Sequence, residues 1–259
     1  DSRASGGSIH RIKLQQSVGQ AAARNIALQE AKGEIICYLD DDDIYLTHHL
    51  ETVVTALSRE GRPFVYTDAV LVPERYNNGM PQEEGERSNP YKHDEYKRDR
   101  LLVNNYIPIN TWAHWKACVD QVGTFDESLS CYEDWEFLLR LSSRYEFTHI
   151  ERTTGEVKFR VDRVENADTA NAYRNIYQRH GDNLSEALVY ERGMKLQALE
   201  YNTEKHRQAE HTLLGTTVGD VGERHDRHLG RAAADVDDHV ARGFVDREIS
   251  ADRRGHRLP

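Results

Sequence analysis

The chain of 259 residues contains no apolar run near the ~20 residues that a membrane span requires, so no transmembrane segment is expected. Cysteine is scarce. Cys37, Cys118 and Cys131 make an odd count without CxxC spacing, which excludes a disulfide framework and predicts reduced thiols in a cytoplasmic setting. Positive charge is also short, with 34 Lys and Arg against 44 Asp and Glu and a formal net charge of −10. That balance excludes a general nucleic-acid binder, which needs a basic face to displace phosphate counterions. It leaves room for a phosphate-bearing ligand, because a bound divalent cation inverts the local charge. The opening stretch DSRASGGSIHRIK has no apolar centre, so the sequence predicts no secretory leader.

What the sequence does contain is ordered unevenly. From Ser17 to about Phe159, apolar segments alternate with turn signals in the manner of an α/β domain. GQAAARNIALQEAKG reads as a helix with Ala23, Ile26, Ala27 and Ala31 on one face. EIICYL follows as a short buried strand. LTHHLETVVTALSRE returns to helix, with Leu46, Leu50, Val53, Val54 and Leu57 together. PFVYTDAVLV has strand length and β-branched content. Segment 73–100 is polar and punctuated by Pro and Gly, which predicts a long surface loop or lid. We expect an α/β domain over residues 1–165 and a helical extension over 166–214. Over 215–259 few large apolar residues occur among many Arg, Asp and His, so a poorly ordered tail is expected.

One stretch needs a physical account. IICYLDDDDIYL places Asp40, Asp41, Asp42 and Asp43 directly after the EIICYL strand, where mutual repulsion and lost hydration both cost free energy. In an α/β sheet, ligands bind outside the carboxyl ends of strands. A hard cation, Mn²⁺ or Mg²⁺, takes carboxylate oxygens and shares them with substrate phosphates, which would supply the missing positive charge. Capping of the next helix by Asp43 or Thr47 accounts for one or two carboxylates, not four. An EF-hand loop fits Asp40, Asp42 and Glu51 but fails at Ile44 and at Tyr45, which occupies the obligatory glycine position.

GQAAARNIALQEAKGEIICYLDDDDIYLTHHLE resembles the family 2 glycosyltransferases of GT-A fold, with each fixed element of G-x-x-x-ARN-x-AL-x-x-A-x-G-E-x-I-x-x-LD-x-DD present. A second block, VGTFDESLSCYEDWEFLLRL, resembles the family's FDE and ED segment. The resemblance covers about residues 15–160. It implies a Rossmann-like layered sheet with flanking helices. The family's first βαβ unit, opening V-S-V-I-I-P-x-Y-N, has no counterpart, so the chain is expected to be truncated at its amino terminus.

By resemblance, Asp40-x-Asp42 is the DxD motif. Asp42 would coordinate the metal, while Asp40 would share that site and face the nucleotide ribose. Glu133 and Asp134 match the pair that supplies the catalytic base, with Asp134 as the base. Arg24 and Asn25 would brace the DxD loop or approach the phosphates, and Asp43 would bond the loop backbone. The implied reaction is metal-dependent transfer, with inversion, of a sugar from a nucleotide-diphosphate sugar to an acceptor hydroxyl. The acceptor would be a saccharide or lipid-linked, and no nucleic acid is involved. The location would be cytoplasmic, or peripheral at the inner face of the membrane. The stretch YEDWEFLLRL also reads as the start of an amphipathic helix with acidic residues at its positive end. Where the family carries Y-R-x-H, VKFRVDRVEN has no histidine, so a third metal ligand is not expected. Two alternatives stay open: a nucleotidyltransferase-like metal enzyme, and an inactive domain retained for binding.

Overall fold

The computed structural model describes residues 9–59, 61–92, 95–161 and 167–219. Helix α1 (Gln20–Glu30) leads into β1 (Ile35–Cys37), a short β2 (Ile44–Tyr45) and α2 (His49–Ser58). Strands β3 (Phe64–Asn77) and β4 (Met80–Glu83) follow, then α3 (Arg98–Val103), β5 (Trp112–Trp115) and α4 (Ala117–Val122). The chain continues through α5 (Glu133–Ser142), β6 (Phe147–Arg160), α6 (Ala167–Arg179) and α7 (Glu186–Gly219).

The strands form one sheet in the order β1-β5-β3-β6-β2, with β4 paired to β3. Only β3 and β6 run parallel; the other pairings are antiparallel. Alternation along β3 splits its side chains between two layers. Val65 faces α2 and packs with Val53, Leu57 and Ala113. Phe64 and Tyr66 face the larger core with Trp112, Phe147, Leu101, Trp135 and Phe137. Ala21 and Leu28 of α1, and Tyr173 and Ile176 of α6, close that side. Each large side chain fully buried here contributes roughly 1.5–3 kcal/mol. The result is a mixed sheet between helical layers. Among the described residues, no helix is long and apolar enough to cross a membrane.

Several expectations are corrected. The inward face of α1 is Ala21, Asn25 and Leu28, while Ala23 and Ala27 are exposed. A buried amide, not an apolar stripe, sets how that helix is turned. On α2, Leu50 and Val54 are exposed, and His49 and Thr52 take inward places. Segment 73–100 is not a loop throughout. β3 runs on to Asn77 because it pairs with β6 through Glu74, and a hairpin returns as β4. Its turn, Asn78 (φ 51°) and Gly79 (φ 78°), is left-handed at both positions, the backbone that Asn-Gly favours between strands. Helix α7 continues to Gly219, past the expected start of the tail at 215. Residues 220–259 and the expected domain boundary at 165 lie outside the described residues.

An irregularity in the β3–β6 pair matters for the site. The register moves from Thr67 opposite Ile150 to Asp68 opposite Thr153 and Ala69 opposite Gly155. Buried polar groups hold this bulge. Thr154 Oγ1 meets Thr67 Oγ1 at 2.6 Å and His49 Nδ1 at 2.7 Å, and His149 Nε2 meets Asp68 Oδ1 at 2.8 Å. Beyond it, β6 offers Gly155 and Glu156 to pair with Tyr45 and Ile44 of β2.

Candidate active site

After β1 the chain turns through Asp40–Asp43 before entering β2. Asp43 N–H donates to Asp40 O at 3.2 Å and closes the turn. Its far side is suspended from β6: Leu46 N–H donates to Thr154 O at 2.8 Å, and Lys158 N–H donates to Asp43 Oδ1 at 3.0 Å. Tyr45 hydroxyl donates back to Tyr38 O at 2.5 Å. The Asp43 side chain therefore bonds the backbone of β6, not that of its own loop. Its carboxyl is pushed up to about 7, by desolvation first, against the Lys158 hydrogen bond and with Asp42 and Asp40 adding to the rise.

The positive charge that the acidic turn needs comes first from within the chain. Arg24 Nη2 donates to Asp40 Oδ1 at 2.7 Å and to Oδ2 at 3.0 Å. Its Nη1 donates to Glu133 Oε1, a residue 109 positions away. Burial works against the Arg24 charge, but Asp40 and then Glu133 outweigh it and hold its pKa above the ordinary value. One guanidinium thus ties the acidic turn to the start of α5. Beside it an open groove of about 430 Å³ runs along Ala27, Leu28, Ala31 and β1.

Helix α5 begins after Tyr132, which sits in the left-handed region at φ 61°. Glu133, Asp134 and Glu136 fill its first turn, where the helix dipole favours negative charge. Their roles differ. Glu133 is buried against Arg24. Glu136 is buried on the other side and receives Arg140, which also donates to Val122 O and Thr124 O, so that pair secures the α4–α5 connection. Asp134 is half-buried, and Asn105 Nδ2 donates to its Oδ2 at 2.9 Å. Its carboxyl is pushed up to about 6, by desolvation first and then by the Glu133 charge, against Arg24. A carboxyl so raised is still ionised near neutral pH and is a better proton acceptor than an ordinary aspartate.

Asn25 is a correction. It was expected to approach the nucleotide sugar, yet it is buried with both ends of its amide engaged. Nδ2 donates to Phe125 O at 2.9 Å and Glu127 Oε1 at 2.8 Å, and Phe125 N–H donates to Oδ1 at 2.9 Å. The ARN element thus splits: Arg24 braces the turn, and Asn25 clamps the FDE loop. Both oxygens of Asp40 accept from Arg24. Asp41 and Asp42 are exposed. Among the described residues no group of three His, Cys, Asp or Glu side chains is placed to hold a metal. Asn105 was not anticipated; it lies in neither motif block, and nothing in NNYIPIN marks it.

A mixed sheet between helices, with an acidic turn at a strand end facing an acidic helix start, is an architecture of the GT-A type. Residues 2–118, just under half of the chain, match the model of Glycosyl transferase family 2. The uncharacterized glycosyltransferase YwdF of Bacillus subtilis is 30% identical over 195 residues, which is 75% of this chain and 63% of that protein. WfgD of Escherichia coli, a UDP-Glc:alpha-D-GlcNAc-diphosphoundecaprenol beta-1,3-glucosyltransferase, is 39% identical over 65 residues, 24% of this chain and 26% of its own. The chain thus spans under two thirds of the length of these relatives. Among solved structures, S. aureus TarS 1-349 gives a TM-score of 0.47 at 18% identity, covering 70% of this chain and 52% of that one. A likeness that distant carries no argument of its own.

Proposed function

We propose that the protein transfers a sugar, with inversion, from a nucleotide-diphosphate sugar to an acceptor hydroxyl. The observation that carries this reading is the Arg24 bridge, which ties Asp40 of the first motif block to Glu133 of the second, beside Asp134. Asp134 accepts the proton of the acceptor hydroxyl as it attacks the anomeric carbon. Arg24 keeps Asp40 and Glu133 fixed and neutralises part of the negative charge that the turn would otherwise set against a diphosphate. Asp42, free at the tip of the turn, is the residue that would hold Mn²⁺ or Mg²⁺. A divalent cation held by Asp42 would supply Lewis-acid stabilisation of charge on the departing diphosphate. The single attack inverts the anomeric centre.

A uridine diphosphate sugar is the first donor to test, because WfgD is named as a UDP-Glc glucosyltransferase. We further propose a saccharide or lipid-linked acceptor, by analogy with the GlcNAc-diphosphoundecaprenol in the name of WfgD, and a role in polysaccharide or glycoconjugate synthesis. Titration calorimetry with UDP, with and without Mn²⁺, tests the proposal. Binding should need the metal in the wild type and be lost in Asp42→Asn, while Asp41→Asn binds as before. Metal-dependent binding that survives Asp42→Asn would withdraw the assignment of that carboxylate.

A further inference from the structure

The segment between α3 and β5 belongs to neither motif block, yet it touches the residue assigned as base. Both ends of the Asn105 amide are spent: Nδ2 donates to Asp134 Oδ2 at 2.9 Å, and Oδ1 accepts from Ile107 N–H at 3.2 Å. The side chain is thereby held in one orientation, with its N–H aimed at the carboxylate. Immediately upstream is the end of α3, where helix carbonyls lack intrahelical partners. Four consecutive residues there are met by four side-chain donors. Trp135 of α5 donates its indole N–H to Leu101 O at 2.7 Å. Arg192 of α7 donates Nε–H to Leu102 O at 2.8 Å. From α6, Tyr177 hydroxyl donates to Val103 O at 2.6 Å and Tyr173 hydroxyl to Asn104 Oδ1 at 2.5 Å. Three of these four donors come from the helical pair α6–α7, outside both motif blocks and outside residues 2–118 that match the family model.

We propose that Asn105 is a positioning residue for the Asp134 carboxylate, and that the α6–α7 pair sets Asn105 by capping the end of α3. The inference rests on the reading of Asp134 as base, and it gives the helical extension a role in turnover. Physically, the Asn105 N–H favours the ionised carboxylate and restricts its rotation, so that the oxygens meet the acceptor hydroxyl without searching. The charged groups that face Asp134 are Glu133 on its own helix, Arg24 from α1 and Asp40 from the acidic turn. A substitution at Asn105 changes none of them, so its effect reports the lost amide.

The test uses the full chain with side-chain ¹³C labelling of aspartate, and UDP-glucose as the probe, with UDP release as turnover. In Asn105→Ala the Asp134 titration should move upward by at least about half a pH unit. Turnover should fall about tenfold while the donor KM stays within about twofold, the split expected when only the transition state is affected. Tyr173→Phe, which keeps the ring but removes the hydroxyl from Asn104, should shift the titration in the same direction by less. This second variant decides the matter if Asn105→Ala does not fold. General loosening of the structure would not give a directional change at one carboxyl. An Asp134 titration unmoved in folded Asn105→Ala overturns the positioning role alone. Full turnover in Asp134→Asn strikes the base assignment itself and takes the positioning role with it.

Discussion

Four adjacent carboxylates repel one another, and the chain deals with them one at a time. Asp40 is paired with Arg24, Asp43 is hydrogen-bonded to β6, and Asp41 and Asp42 are left in water. Of these two exposed carboxylates, Asp42 is the one proposed to meet a cation. The division of labour in the second motif block is as sharp: Glu133 serves Arg24, Glu136 serves Arg140, and Asp134, which meets Asn105, is the carboxylate proposed as base. Replacing Asp134 by Asn should lower turnover by ~10²–10⁴-fold, the usual contribution of a general base. Donor affinity should stay within a few-fold, because a base acts in the transition state. In the wild type, kcat/KM should rise as pH passes through about 6, where Asp134 ionises. A wild-type profile flat from pH 5 to 8, or a variant with undiminished turnover, would remove Asp134 from the chemistry.

At the scale of elements, α1 shows how a polar residue can orient a helix. Asn25 makes three hydrogen bonds to the Phe125–Glu127 loop, so the helix presents that position inward and carries Arg24 to the cleft. Asn25→Ala would leave buried backbone groups of Phe125 without partners. It should cost about 2–4 kcal/mol by denaturant unfolding, with the slope of the transition unchanged. If Asn25 instead touched the donor, the same variant would lose UDP affinity at nearly full stability, and the structural assignment would be wrong. The β3–β6 bulge works in a similar way. Its buried threonines and histidines bend β6 so that Gly155 and Glu156 reach β2 and steady the acidic turn.

For the whole molecule, the pH dependence of stability follows from groups in different layers. Asp134 holds its proton to about 6 when folded, against an ordinary 3.8, so between about pH 4 and 6 the folded state binds more protons. That contribution to stability is lost as pH rises through the window. His49 and His114 work in the opposite sense. Burial lowers both from 6.5 to about 4, so the unfolded chain binds more protons and stability rises with pH across that range. His114 remains neutral between Tyr38 hydroxyl and Trp115 O, at 3.0 and 2.8 Å. The contribution of Asp43, pushed up to about 7 by burial, falls with that of Asp134, and Asp134→Asn removes the Asp134 contribution while leaving that of Asp43 in place. Unfolding free energy of the variant should climb more steeply than that of the wild type between pH 4 and 6, by up to about 1.4 kcal/mol per pH unit. Parallel profiles would show that Asp134 titrates normally in the folded protein.

Much of this was legible along the chain. The ARN helix, the EIICYL strand and the DDDD turn are local in sequence, so periodicity and composition determined them, and two motif blocks were enough to name a family. The Asn-Gly pair at 78–79 also carried its signal, although the polar run around it reads as loop. Tertiary structure decided the rest. Asn25 and Arg24 are neighbours in one helix, yet one is buried against a loop 100 positions away and the other bridges two carboxylates. Which of four equivalent aspartates faces solvent depends on where β6 and α1 pass. That Asn105 meets Asp134 depends on how α3 ends against α5, α6 and α7. Local spacing fixes which residues share a face, but only the packing of distant segments fixes what that face meets.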